Sequence, residues 1–237
     1  MSEESRVLPG AEPFYFEGNS VGILVSHGFT GTTQSMGPLC EAYAKAGYTV
    51  CGPRLKGHGT HYMEMESTTR QDWKSSIEKG YKWLKERCDH IFVTGLSMGG
   101  TLTLYCAEIH PDLKGIIPIN ATIDASSMKD AIHGPRFIDG IGSDIKKPNV
   151  SELAYEKTPT KSIQELILLA SEVETKLDQI TCPILLFVSQ EDHVVEPINS
   201  QNIYERVSSS NKEMITLKES YHVATLDNDQ QLIIDKT

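Results

Sequence analysis

Five short apolar runs punctuate the chain: VGILVSH (21–27), YTVCGP (48–53), HIFVTG (90–95), KGIIPIN (114–120) and PILLFVSQ (183–190). They are continuous rather than alternating, the pattern of strands buried on both faces of a parallel sheet. Between them, SMGPLCEAYAKAG (35–47) carries apolar residues at helical spacing and ends on glycine. TTRQDWKSSIEKGYKWLKERC (68–88) is a long amphipathic helix candidate, and the helical pattern of MGGTLTLYCAEIHP (98–111) stops at proline. Parallel neighbours need a crossover connection, so this alternation predicts an α/β fold with helices on both faces of a mostly parallel sheet. EMITLKE (213–219) is the last strand candidate.

The rhythm fails between 121 and 178. No clear strand is legible there, and HGPRFIDGIGSDIKKPNVSELAYEKTPT mixes Gly, Pro and polar residues with apolar patches. So long a segment between strands is too long for a plain loop, and it reads as an inserted helical cap. The expected organisation is a core of residues 1–120 and 179–237 with a cap insertion at 121–178.

Bulk properties narrow the choice of partner. A chain of 237 residues can bury a sizeable core, and its 39% hydrophobic and 23% charged content is that of a globular protein. A net charge of −10 argues against nucleic acid, which needs clustered Lys and Arg. The acidic start, MSEESRVLPGAEPFYF, lacks the basic and apolar regions of a signal peptide, and no apolar run approaches the ~18 residues of a membrane span. Five scattered cysteines (Cys40, Cys51, Cys88, Cys106, Cys182), with no C-x-x-C pair, read as reduced and buried. The expectation is a cytoplasmic protein without stable membrane insertion.

Chemistry enters with VTGLSMGGTLTLY (93–105), where glycines surround a serine although glycine weakens strands and helices. If HIFVTG is a strand and MGGTLTLYCAEIHP a helix, Ser97 occupies a sharp turn between them, and the glycines remove side chains that would collide there. The helix behind the serine points its first N–H groups at the reaction centre, so the Met98 amide can donate to a developing oxyanion. Gly-x-Ser-x-Gly alone is weak, arising by chance in roughly one chain in ten of this length. SHGFTG (26–31), after the first central strand, is placed to supply a second backbone donor, for which Phe29 N–H is the candidate. The bland alternative is a glycine turn with His27 packed beneath it.

A hydroxyl is a poor nucleophile unless a base takes its proton, and histidine is the usual base. Chain order in such hydrolases, serine then acid then histidine, leaves His193 and His222, of which His222 follows the last strand candidate. The acid falls after PILLFVSQ at Asp192, with Glu191 as the alternative, while Asp227 and Asp229 come too late. RLKGHGTH (54–61) places His58 and His61 near the same edge without a Cys or Glu at metal spacing, so it reads as a supporting loop. No Walker motif, dinucleotide fingerprint or metal cluster competes, and no cofactor is expected.

Together SHGFTGT, PRLKGHGTHY, VTGLSMGGTLTLY, SQEDHVV and SYHVATLD resemble the bacterial carboxylesterase and monoacylglycerol lipase group of α/β-hydrolases, especially the monoacylglycerol lipases of bacilli. The resemblance runs from about residue 8 to the end. It implies an α/β-hydrolase fold, a Ser97–His222–Asp192 triad, Phe29 and Met98 amides as the oxyanion hole, and a small cap over an acyl tunnel. It also implies Ile141 on the tunnel wall and Glu152 near the glycerol hydroxyls. Two departures stand out: residues 125–138 are shorter and more polar than the family pattern, and the chain stops at Thr237 before the expected final helix. The expected activity is hydrolysis of monoacylglycerols through an acyl-enzyme. The alternatives are a general carboxylesterase or thioesterase and, outside enzymes, a hydrolase-fold ligand receptor.

Overall fold

The structure, a computed structural model, describes residues 6–237; Met1–Ser5, part of the stretch read for a leader, lie outside the described residues. A three-residue strand β1 (Phe14–Phe16) precedes the first central strand β2 (Val21–Ser26). There follow α1 (Gly37–Lys45), β3 (Thr49–Gly52), α2 (Tyr62–Glu66), α3 (Arg70–Lys85), β4 (His90–Leu96), α4 (Met98–Ile109) and β5 (Gly115–Ile119). After a 3-10 turn at Ser126–His133 come β6 (Phe137–Asp139), β7 (Lys157–Pro159) and α5 (Thr160–Glu174). The chain ends with β8 (Ile184–Ser189), α6 (Ile198–Arg206), β9 (Lys212–Leu217) and α7 (Gln230–Lys236).

Seven strands form one sheet in the order β1-β3-β2-β4-β5-β8-β9, parallel except for β1 at the edge. Alternate residues of β2 serve opposite faces. Leu24 joins the core made with α3, α4 and α5, whereas Ile23 and Val25 join the core made with α1 and α7. This two-sided burial explains why the strand sequences are continuously apolar. The register brings Ser26 opposite Gly95, Leu96 opposite Ile119 and Ile119 opposite Phe187. The turns after β2, β4, β5, β8 and β9 therefore share one edge, the carboxyl edge where open α/β sheets bind ligands.

Two expectations need correction. The segment 121–178 does contain strands: β6 and β7 pair antiparallel, Phe137 opposite Pro159 and Asp139 opposite Lys157. Three residues are too few to display a period, and the partners are separated by a long excursion, so no pattern betrays them. The chain also forms a final helix, α7, which buries Ile233 behind the Asp229 N-cap. Its seven residues contain a single buried apolar position, too little for a helical signature.

Candidate active site

Ser97 lies between β4 and α4 with φ 58° and ψ −121°, a conformation L-residues avoid and surrounding structure must impose. Its N–H donates to the Ile119 carbonyl at 2.9 Å, which fixes the turn to β5. A side chain at Gly99 would overlap the Ser26 carbonyl at the end of β2, and one at Gly95 would overlap the Gly99 backbone. Glycine at these two positions lets α4 start flush against the strand ends. Met98, first residue of α4, has no acceptor for its N–H within its own helix.

The turn after β2 is held by His27. The Leu55 N–H donates to its Nε2 at 3.1 Å, so Nδ1 carries the proton and donates to the Gly28 carbonyl at 2.9 Å. Burial, with the Arg54 charge adding to it, lowers the His27 pKa to about 4, so the ring is neutral at ordinary pH. His58 packs edge-on against His27 at 5.1 Å and against Phe29 and Trp73. Gly28 abuts Ser97: a Cβ there would sit 3.4 Å from the Ser97 Cβ. Phe29, the next residue, lines the same cleft as Ser97. Neither His58 nor His61 joins a group of metal-ligating side chains among the described residues; His61 caps α2 by accepting the Met63 N–H.

His222 and Asp192 meet across the β8 and β9 turns, with Nδ1 2.8 Å from Asp192 Oδ2. The other carboxylate oxygen accepts the Val194 and Val195 N–H groups at 2.9 and 2.8 Å. Burial pushes the His222 pKa down, but the Asp192 hydrogen bond and the Asp192, Glu152 and Asp144 charges outweigh it and raise the pKa above the ordinary imidazole value. With Nδ1–H committed to Asp192, Nε2 is the nitrogen that can receive a proton. The alternatives diverge: His193 is 61% exposed and pairs with Asp144, and Glu191 lies at the surface beside Lys146.

Several fixing groups carry no sequence motif. Asn120, itself at φ 45°, donates to the His222 carbonyl at 2.7 Å and to Ser189 Oγ at 2.9 Å. Asp227, excluded from the acid role by chain order, accepts the N–H groups of Lys146, Lys147, Tyr221 and Asn228. It thereby ties the β6–β7 connection to the residue before His222.

Ser97, His222, Phe29, Ile141 and Glu152 line one cleft. Ile141 is 47% exposed, at the rim rather than deep in a wall, together with the exposed Ile198. The Glu152 carboxyl fills the space a side chain at Gly31 would need. Burial raises its pKa, against the pull of the Ser35 hydroxyl and the His222 charge. No helix among the described residues is long and apolar enough to cross a membrane.

A doubly wound sheet with a strained serine at the strand-to-helix turn and a histidine–carboxylate pair on the same edge defines an α/β-hydrolase. The chain belongs to the Hydrolase_4 (serine aminopeptidase, S33) family, whose sequence profile matches residues 20–143 and 143–229. It is 61% identical, over 241 aligned positions covering 100% of this chain and 96% of that protein, to a thermostable monoacylglycerol lipase of Bacillus sp. (strain H-257). It is 30% identical to a carboxylesterase of Bacillus subtilis (strain 168), covering 94% of this chain and 92% of that one. A solved structure from work on LipS and LipT, two metagenome-derived lipolytic enzymes, superposes with a TM-score of 0.95 at 49% identity, covering 98% of this chain and 97% of that one.

Proposed function

We propose that this protein is a serine carboxylic ester hydrolase that cleaves monoacylglycerols to glycerol and fatty acid. The observation that carries the reading is that the Asp192–His222 pair opens on the same cleft as the strained Ser97. His222 Nε2 takes the Ser97 hydroxyl proton as Oγ attacks the acyl carbonyl carbon. The Phe29 and Met98 N–H groups receive the developing oxyanion. The imidazolium then returns its proton to the departing glycerol oxygen as the ester bond breaks. A water molecule, deprotonated in turn by His222, attacks the acyl-enzyme, and Ser97 leaves with that proton. Asp192 fixes the ring tautomer and stabilises the imidazolium without accepting the proton itself. No cofactor enters this chemistry.

Residues 121–178 act as the cap in this reading, with Ile141 facing the acyl chain and Glu152 the glycerol hydroxyls. The name of the 61% identical relative supports the glycerol ester as substrate. The five cysteines, all free and four of them buried, accord with the cytoplasmic location expected from the sequence. A fluorophosphonate probe should label the wild type and not Ser97→Ala, which should lose ester turnover on the order of 10⁴-fold while melting normally. Half the wild-type activity in that variant would exclude Ser97. Equal rates on a monoacylglycerol and its matching methyl ester would reduce the reading to a general carboxylesterase.

A further inference from the structure

We infer that Asp144, in the insertion between β6 and β7, is a positioning residue that fastens the turns carrying His222 and Asp192 to the roof of the cleft. The inference rests on the proposed esterase reading. Asp144 Oδ2 accepts the His222 N–H at 3.0 Å and the His193 N–H at 3.2 Å, while Oδ1 lies 2.8 Å from the His193 Nδ1. Its own carbonyl accepts the Val223 N–H at 3.1 Å. One residue of the insertion thus grips the backbone on both sides of the Asp192–His222 bond. Its side chain is only 16% exposed and borders the cleft.

The neighbours of Asp144 give this grip its meaning. Ile141 lies three residues before it at the rim, and Ser143 Oγ accepts the Glu152 N–H at 2.8 Å. The two residues after it on the chain that follow Ile145 are held by Asp227. The wall that meets substrate and the turn that carries the base are therefore one hydrogen-bonded unit, and a shift of either displaces the imidazole relative to Ser97. Misplacement on the scale of an ångström is costly to a proton transfer. The charged groups facing His222 are Asp192 from the β8–α6 turn and Asp144 and Glu152 from the insertion. His193 sits behind Asp144, and the Lys146 ammonium is turned outward to Glu191 and Glu219.

The test compares Asp144→Ala and Asp144→Asn with the wild-type enzyme on a soluble monoacylglycerol. Asp144→Ala is expected to lower kcat by about ten- to hundredfold, with KM changed by less than about threefold. Asp144→Asn keeps an oxygen for the backbone N–H groups and is expected to recover most of kcat. Both variants should move the acid limb of the pH–rate profile to lower pH, because a negative charge facing His222 is gone. The downfield NMR signal of the His222 Nδ1 proton should shift or broaden in Asp144→Ala and persist in Asp144→Asn. Unchanged kcat and an unmoved acid limb in folded variants would overturn the inference, as would a loss of melting temperature alone. If Asp144→Ala does not fold, the acid limb of Asp144→Asn decides. A wild type that neither labels with the probe nor cleaves esters would refute the esterase reading instead, and the Nδ1 proton signal would still report on Asp144.

Discussion

The Asp192 carboxylate divides its oxygens, one for two backbone N–H groups and one for His222, so it is oriented before any substrate arrives. Because that anion contributes to raising the His222 pKa against burial, the rate should climb with pH through a midpoint above the ordinary imidazole value of about 6.5. Asp192→Asn should reduce kcat on the order of 10³-fold or more and move what activity remains to lower pH, as a pH–rate profile from about 5 to 9 would show. Glu152 offers a separate test. A site built to pair with hydroxyls disfavours substrates without them, so Glu152→Leu should lower kcat/KM on a monoacylglycerol by roughly 1–3 kcal/mol and barely alter the matching methyl ester. Parallel kinetics on the two substrates would show whether the loss is selective. Ser97, Asp192 and His222 stand out as candidates in the sequence because nucleophile, acid and base chemistry restrict both residue type and chain order. Asn120 and Asp144 do not. They bond mainly to backbone groups of distant turns, and nothing in one chain's local pattern distinguishes such an Asn or Asp from a solvated one.

At the level of elements, the close seating of α4 on the sheet is what the glycines around Ser97 make possible. Gly99→Ala would press a methyl group into the Ser26 and His27 carbonyls, which are backbone and cannot swing away. The expected cost is about 1–3 kcal/mol, with the melting temperature falling by roughly 2–4 °C for each kcal/mol in a chain of this size. Turnover should fall as well because Ser97 moves with the turn; calorimetry and steady-state kinetics on the same sample would record both. Five of the six parallel strands were legible because burial on both faces writes an unbroken apolar run, as in VGILVS, whereas β9, KEMITL, is a half-exposed edge strand with polar residues between its apolar ones. β1 was not legible: FYF is three residues at a sheet edge, only partly buried. In α5, ILLASEV has apolar positions at helical spacing, but nothing in the sequence separates it from the irregular stretch before it.

At the scale of the whole molecule, a half-buried carboxyl away from the cleft stands apart. Glu108, near the end of α4, has an Oε1 without a hydrogen-bond partner among the described residues. Burial raises its pKa to about 7, partly offset by Lys176 and Lys74. A carboxyl with a raised folded pKa contributes stability that is fully present below its unfolded value, near 4.3, and is lost as pH rises through about 7. Glu108→Gln should therefore raise the melting temperature at pH 8 by the equivalent of about 1 kcal/mol, discounted for its partial exposure, and change it little at pH 5. Thermal melts at the two pH values would check this. The surroundings of α5 bear on how the cleft can breathe. Leu166, Leu169, Ala170 and Val173 lie in the same core as α4, and Arg70 and Lys74 of α3 clamp Glu165 and Glu172. That helix is also the crossover that returns the chain from β5 to β8, so swinging it outward would strip one face of the sheet. Any opening of the entrance that leaves the sheet covered and the Asp144 tie to the His222 turn intact is therefore confined to the 3-10 turn at Ser126–His133.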